Sequence, residues 1–168
     1  MALRLIALAV VLGACDETPE GPPPPPPLVT RALMDSDALV EIVSCRQSHE
    51  HELNHVRTVA NPAAAEQFRR CVLDPHAADE PCAEPFPEGS LFVKYEYELP
   101  GCLPEDFKGI SANLKLAPDS FPAGRDWQWQ KLSSRFAVEE NGAPAVCLIC
   151  HLDHCSGLKG HDLRCLPD

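Results

Sequence analysis

The chain has 168 residues, a formal net charge of −11 and 45% hydrophobic residues. That length accommodates one ordinary domain with its own core. The acidic balance argues against nucleic acid, or an anionic lipid surface, as a partner.

Residues 1–14, MALRLIALAVVLGA, read as a bacterial lipoprotein signal peptide. Arg4 supplies the positive start and Leu5 to Leu12 an apolar run too short to span a membrane. Leu12-Gly13-Ala14-Cys15 has the form of a lipobox, in which the Cys15 thiol is acylated before cleavage. The plainer alternative is cleavage after Ala14 with Cys15 an ordinary thiol. Residues 15–31 read as a tether, because six consecutive prolines, Pro22 to Pro27, form a stiff polyproline II spacer. The remaining residues, 32–168, are expected to form one exported domain. It is anchored to a bacterial membrane by lipid and faces the periplasm or the cell exterior.

Within that domain, Asp35, Ser36 and Asp37 offer N-caps for a helix to about His55, with Leu39, Ile42, Val43, Leu53 and Val56 on one stripe. Its His49, His51 and His55 admit a metal site, but Glu50, Glu52 and Asn54 between them read as a solvated face. Asn61-Pro62 is a cap and first-turn pair for a second helix with Ala64, Phe68, Cys71 and Val72 inward. Residues 75–89 read as loop. SLFVKYEYEL alternates as a strand, with Leu91, Val93, Tyr95, Tyr97 and Leu99 on one face and Phe92, Lys94, Glu96 and Glu98 on the other. A short strand is expected near Ile110 to Leu116, and another from Trp127 to Val138, closed by the Asn141-Gly142 turn. The expected class is α+β: mainly antiparallel sheet with packed N-terminal helices.

Nine cysteines are present. Setting aside Cys15 and the Cys147/Cys150 pair leaves Cys45, Cys71, Cys82, Cys102, Cys155 and Cys165, an even set that predicts three disulfides in an oxidising compartment. Local loop closure predicts Cys45 with Cys71, Cys82 with Cys102, and Cys155 with Cys165.

The chemistry concentrates in VCLICHLDHC, Val146 to Cys155. Cys147-Leu148-Ile149-Cys150-His151 matches the attachment sequence of c-type haem: two thiols add across the vinyl groups and the next histidine reaches the iron. A zinc site drawn from Cys147, Cys150, His151, His154 and Cys155 is the rival, and a plain disulfide between Cys147 and Cys150 the third reading. Besides Met1 the chain has only Met34, at the edge of the tether, so a methionine sixth ligand is not expected. Either a second histidine ligates or the distal position is open; His154 and His161 are the nearest spare imidazoles and stay unassigned.

RTVANPAAAEQFRR, FPEGSLFVKYEYEL, DWQWQ, CLICH and HDLRCLP, in that order over residues 56–168, resemble the cytochrome P-460 family and its cytochrome c′-beta relatives. The resemblance implies a mainly antiparallel domain, usually a homodimer, holding one five-coordinate haem c. It also implies a lysine cross-linked to the porphyrin, which falls on Lys94, and oxidation of hydroxylamine at the iron with electrons passed to an acceptor that the sequence does not identify. The c′-beta relatives lack the cross-link and bind nitric oxide or carbon monoxide. An ungapped reading from Gly101 to Trp129 puts Ser111 where hydroxylamine-oxidising members carry a distal acid, and serine is a poor proton acceptor at neutral pH. Phe107 and Ser111 are expected to flank the open haem face. The six additional cysteines depart from the family pattern. Two other functions stay open: a non-catalytic binder of nitric oxide or a similar small ligand, and a haem-free, cystine-rich surface module, with or without zinc.

Overall fold

The computed structural model describes residues 25–48, 54–74, 82–142, 145–155 and 160–165. The signal peptide, Cys15, the first half of the proline run, His49 and His51 lie outside them. A six-stranded antiparallel meander forms the body, its strands hydrogen-bonded in chain order. They are β1 (Val40–Gln47), β2 (His55–Ala60), β3 (Leu91–Tyr97), β4 (Phe107–Lys115), β5 (Trp127–Ser133) and β6 (Val138–Gly142). A one-turn helix α1 (Arg31–Met34) precedes β1, α2 (Pro62–Phe68) follows β2, and α3 (Ala145–His154) follows β6. A small hairpin, β7 (Gly160–His161) with β8 (Arg164–Cys165), closes the described chain. The α+β class, with antiparallel sheet predominating and disulfide staples, is as the sequence led us to expect.

Of the helix expected over residues 35–55, residues 49–53 lie outside the described residues, and the rest holds β1 and the start of β2 instead. Two register shifts, between Glu41 and Val43 and between Val43 and Arg46, break the two-residue period of β1. Its apolar residues therefore recur with a spacing that imitates a helical stripe. The second helix starts as predicted: the Asn61 side chain accepts from Ala64 N with Pro62 in the first turn. The same Asn61 Oδ1 accepts from Leu91 N, tying the cap to β3. The last predicted strand is shorter than expected, ending at Ser133, whose hydroxyl accepts from Arg135 N and Ala137 N to build the turn into β6. Asn141-Gly142 lies inside β6 rather than in a turn.

Strand alternation divides the sheet into two faces. Face one carries Ala60, Phe92, Trp127 and Trp129, packed by Ala64, Ala65 and Phe68 of α2, Phe86, Leu163 and the apolar side of α3. Face two carries Val59, Val93, Tyr95, Tyr97, Ile110, Ala112 and Leu132, covered by Leu28, Val29, Met34 and Leu39. Val29 is fully buried, and Gln130 accepts from Leu28 N at 2.6 Å and donates to Pro26 O at 2.9 Å. The packed domain thus begins at about Pro26, inside the segment expected to be tether, because Leu28 and Val29 are apolar enough to dock once the proline run ends.

Three disulfides form: Cys45–Cys102, Cys71–Cys82 and Cys155–Cys165. All six cysteines expected to pair do so, and the last pairing is the expected one. The other two expected pairings are exchanged. Antiparallel order puts the C-terminal ends of β1 and β3 at the same end of the sheet, with β2 between them, so Cys45 meets Cys102 just past β3. The turn of π-helix Arg69–Leu73 extending α2 brings Cys71 to Cys82.

Candidate functional site

Helix α3 carries Cys147, Cys150, His151 and His154 at helical spacings that share one side. Cys147 and Cys150 are the free cysteines among the described residues; they are half-buried and take no part in the disulfides. Cys147, Leu148 and Leu152 pack on face one of the sheet. Burial pushes the Cys147 thiol above its ordinary pKa, Glu140 adds to the rise and Lys131 opposes it.

His151 is held on two sides. Its Nδ1 lies 2.7 Å from the carbonyl oxygen of Leu163. A carbonyl only accepts, so Nδ1 carries the hydrogen and Nε2 the lone pair, the tautomer a metal-ligating histidine needs. The edge of the ring meets Trp129, centroids 4.6 Å apart at 72°. The carbonyl that fixes His151 comes from an unusual position. Asp162 and Leu163, the two residues linking β7 to β8, have φ of 43° and 64°, the left-handed region a tight two-residue hairpin requires. Leucine is a poor choice there. It is retained with its side chain fully buried in the face-one core, so the same residue anchors the hairpin and aims its carbonyl at the imidazole.

A second possible ligand set overlaps the first. His151, Cys155 and Cys165 place their donor atoms within 4.8 Å of one another. The Cys155–Cys165 bond occupies two of the three, so this set can hold a metal only when that bond is reduced. The zinc set expected from the sequence is not gathered as such: Cys147, Cys150 and His154 do not belong to this group. His161 Nε2 contacts Glu84 O at 2.9 Å and its ring lies on Phe86, a packing role. His55 sits half-buried in β2.

Lys94 and Ser111 are direct partners across β3 and β4, and the row continues from Thr58 through them to Lys131 and Glu140. Alternation from Phe92 puts this row on face one. Lys131 and Glu140 are among the groups whose charges act on Cys147, as is Glu96, which ties this part of face one to α3. The sequence reading missed Glu96, the next face-one residue of β3. It accepts from Ser111 Oγ at 2.6 Å and from Asn54 Nδ2 at 3.4 Å. Its place two residues beyond Lys94 on an alternating strand was the available signal. Phe107, expected beside Ser111, is instead on face two, against Tyr95, Tyr97 and Phe136. The register shift between Glu96 and Tyr97 flips it across the sheet.

Beneath α3 lies a buried polar cluster that the sequence did not reveal. Lys115 and Asp162 form an ion pair at 2.8 Å, with both side chains nearly inaccessible. Asp162 Oδ2 also accepts from Phe86 N, and the Asp162 carbonyl accepts from Trp127 Nε1. Arg164, 6% exposed, lies against the rings of Trp127, Trp129 and Phe92 and donates to Asn113 Oδ1 at 2.7 Å. Burial pulls its pKa down to about 9, with Asp162 opposing the fall. A groove lined by Phe86, Lys115, Arg125, Asp126 and Asp162 contains none of the C-x-x-C-H residues.

Two unpaired thiols one helical turn apart, followed by an imidazole whose Nε2 is left unprotonated, meet the chemical demands of covalent haem attachment. A scan against protein-family models and a search of curated proteins each found no match.

Proposed function

We propose that this chain is an exported, lipid-anchored c-type haem protein similar to the cytochromes P-460. In this reading it oxidises hydroxylamine or nitric oxide at an open haem face and passes electrons to an acceptor still to be identified. The observation that carries the reading is the fate of the cysteines. Six of the described ones are consumed in disulfides, while the two of C-x-x-C-H are left as thiols beside a histidine oriented through Nδ1. Three disulfides also suit an oxidising compartment outside the cytoplasm. Acylation at Cys15, the periplasmic or exterior location and a homodimeric state belong to the same proposal.

Cys147 and Cys150 would hold the haem and His151 would ligate its iron, which supplies the redox centre and the site where a small nitrogen-containing ligand binds. The residues of the chain then divide the remaining work. The Leu163 carbonyl fixes the tautomer of His151. Lys94 stands on the same face as Phe92, at the position the resemblance assigns to a cross-linking lysine. Ser111 gives its hydroxyl hydrogen to Glu96, so the carboxylate that the Ser111 position lacks is supplied one hydrogen bond away. Glu96 can accept a proton through the Ser111 hydroxyl as substrate is oxidised.

A pyridine haemochrome assay on protein matured in a host competent for c-type cytochromes tests the reading. One haem per chain, resistant to extraction and lost in Cys147→Ala/Cys150→Ala, is expected. Absence of haem rejects it in favour of the haem-free, cystine-rich surface module. Haem that binds nitric oxide while hydroxylamine reduces no acceptor dye favours the non-catalytic binder.

A further inference from the structure

The polar groups beneath α3 are one-sided. Arg164 Nη1 has its partner in Asn113, but Arg164 Nε and Nη2, Asn113 Nδ2 and Trp129 Nε1 are buried without an acceptor. These side chains are 6%, 7% and 6% exposed respectively. They are neighbours: Asn113 and Trp129 are directly paired across β4 and β5, and the guanidinium carbon lies 4.9 Å from the Trp129 ring centre. Every orphaned atom in the group is a donor, and one side chain carries a fixed charge. Leaving a buried charged donor unpaired is among the costliest defects a core can hold. The nearby carboxylate of Asp162 is turned elsewhere: its Oδ2 accepts from Lys115 Nζ and Phe86 N, and it makes no hydrogen bond to Arg164 Nε or Nη2. A guanidinium fork with two further N–H donors matches a carboxylate, which offers two oxygens to receive them. The cluster adjoins His151, whose ring is 4.6 Å from that of Trp129.

We propose that Arg164, Asn113 and Trp129 form a carboxylate-binding nest, and that its occupant is a propionate of a haem held at Cys147, Cys150 and His151. The second half rests on the haem reading above; the first does not. The nest positions the macrocycle: it fixes the acidic edge of the haem over face one while His151 fixes its iron.

Resonance Raman spectroscopy of the haem-loaded protein reads the propionate-bending band directly, with the iron–histidine band as control. Arg164→Gln is expected to shift the propionate band at unchanged haem content. Trp129→Phe, which removes one donor and keeps a ring, should do the same on a smaller scale should Arg164→Gln fail to fold. An unchanged propionate band in the variants, with haem retained, overturns the assignment. The haem-free Cys147→Ala/Cys150→Ala protein separates a propionate from a free anion. Acetate at a hundredfold excess over its Kd is expected to raise its Tm by on the order of 10 °C, and to leave the haem-loaded protein unchanged because the nest is filled. Equal stabilisation of both proteins means a free anion is the occupant and overturns the propionate. If no haem attaches at all, stabilisation by acetate that is reduced by Trp129→Phe keeps the nest alone, and no stabilisation overturns both halves.

Discussion

Residues one place apart on β5 show how differently the two faces of the sheet are finished. Gln130, on face two, is 2% exposed and fully employed: it accepts from Leu28 N and donates to Pro26 O and Asn141 Oδ1. Trp129, on face one, has a buried indole N–H with no acceptor. The contrast extends beyond this pair. Two half-buried residues on face two, His55 and Arg57, each carry a buried nitrogen without a hydrogen-bond partner, whereas the fully buried residues with orphaned polar atoms, among those described, are Ser90, Asn113, Trp129 and Arg164. Asn113, Trp129 and Arg164 gather on face one beneath the C-x-x-C-H helix. Face two is a core covered by the segment from Leu28 to Leu39, and its orphaned nitrogens stand on half-buried side chains. Face one is a core short of acceptors, and the shortage lies where the chemistry-bearing residues converge. Native interiors pair their polar groups, so a local deficit of one sign identifies a place built for something the chain does not itself contain.

The largest expected effect comes from the bond that ties β1 to the segment after β3 at one end of the sheet. Cys45–Cys102 closes 57 residues, against 11 and 10 for the other two bridges. Loop-closure entropy then assigns it about 4 kcal/mol and the others about 3 kcal/mol each. Cys45→Ala/Cys102→Ala is expected to lower the urea midpoint more than either other double substitution. The reverse order would mean that the unfolded chain is already constrained around the longer loop.

Next in size are paired substitutions that set one face against the other. Leu132→Ala on face two should cost about 3 kcal/mol, because it empties a fully packed position whatever the state of the haem site. Arg164→Met on face one should depend on that state. In haem-free protein it removes a desolvated charge and should stay within about 1 kcal/mol of wild type. In haem-loaded protein it removes charge-assisted hydrogen bonds and should cost about 2 kcal/mol. Denaturant titration of the four proteins checks this, and an equal cost for Arg164→Met in both states would erase the distinction between the faces.

Much of this architecture could be read from residues, and the failures have definite causes. β3 was legible because its alternation is unbroken from Leu91 to Tyr97, and α2 because Asn61-Pro62 is a strong local start signal. β1 was not, because its bulges give a strand the apolar spacing of a helix. The membership of the disulfide set followed from counting, but Cys45–Cys102 depends on strand order, a global property. At the site, Cys147, Cys150 and His151 announced themselves by spacing. Leu163 did not, since its role lies in a backbone carbonyl aimed by a left-handed turn. Nor did Arg164, which reads as an ordinary surface arginine until the hairpin turns it under three aromatic rings.

The smallest effect tests how closely α3 lies against face one before any haem is attached. Burial is the main cause that raises the Cys147 pKa, and the nearby carboxylate of Glu140 adds to it while Lys131 lowers it. The thiolate is the reactive form, so a raised pKa keeps Cys147 protonated, and slow to alkylate, to a higher pH than an unhindered cysteine. In haem-free protein the iodoacetamide labelling rate at Cys147, followed by peptide mass, should therefore rise through a midpoint on the alkaline side of the ordinary thiol range. Glu140→Gln should move that midpoint down, by less than one unit for a screened partner, and Lys131→Met should move it up. Both shifts are needed, because the two side chains are partners across β5 and β6 and act on the thiol with opposite sign. A midpoint at or below that of a free cysteine would mean that α3 stands away from the sheet until haem is attached. The finished face would then be face two alone, with face one assembled around its cofactor.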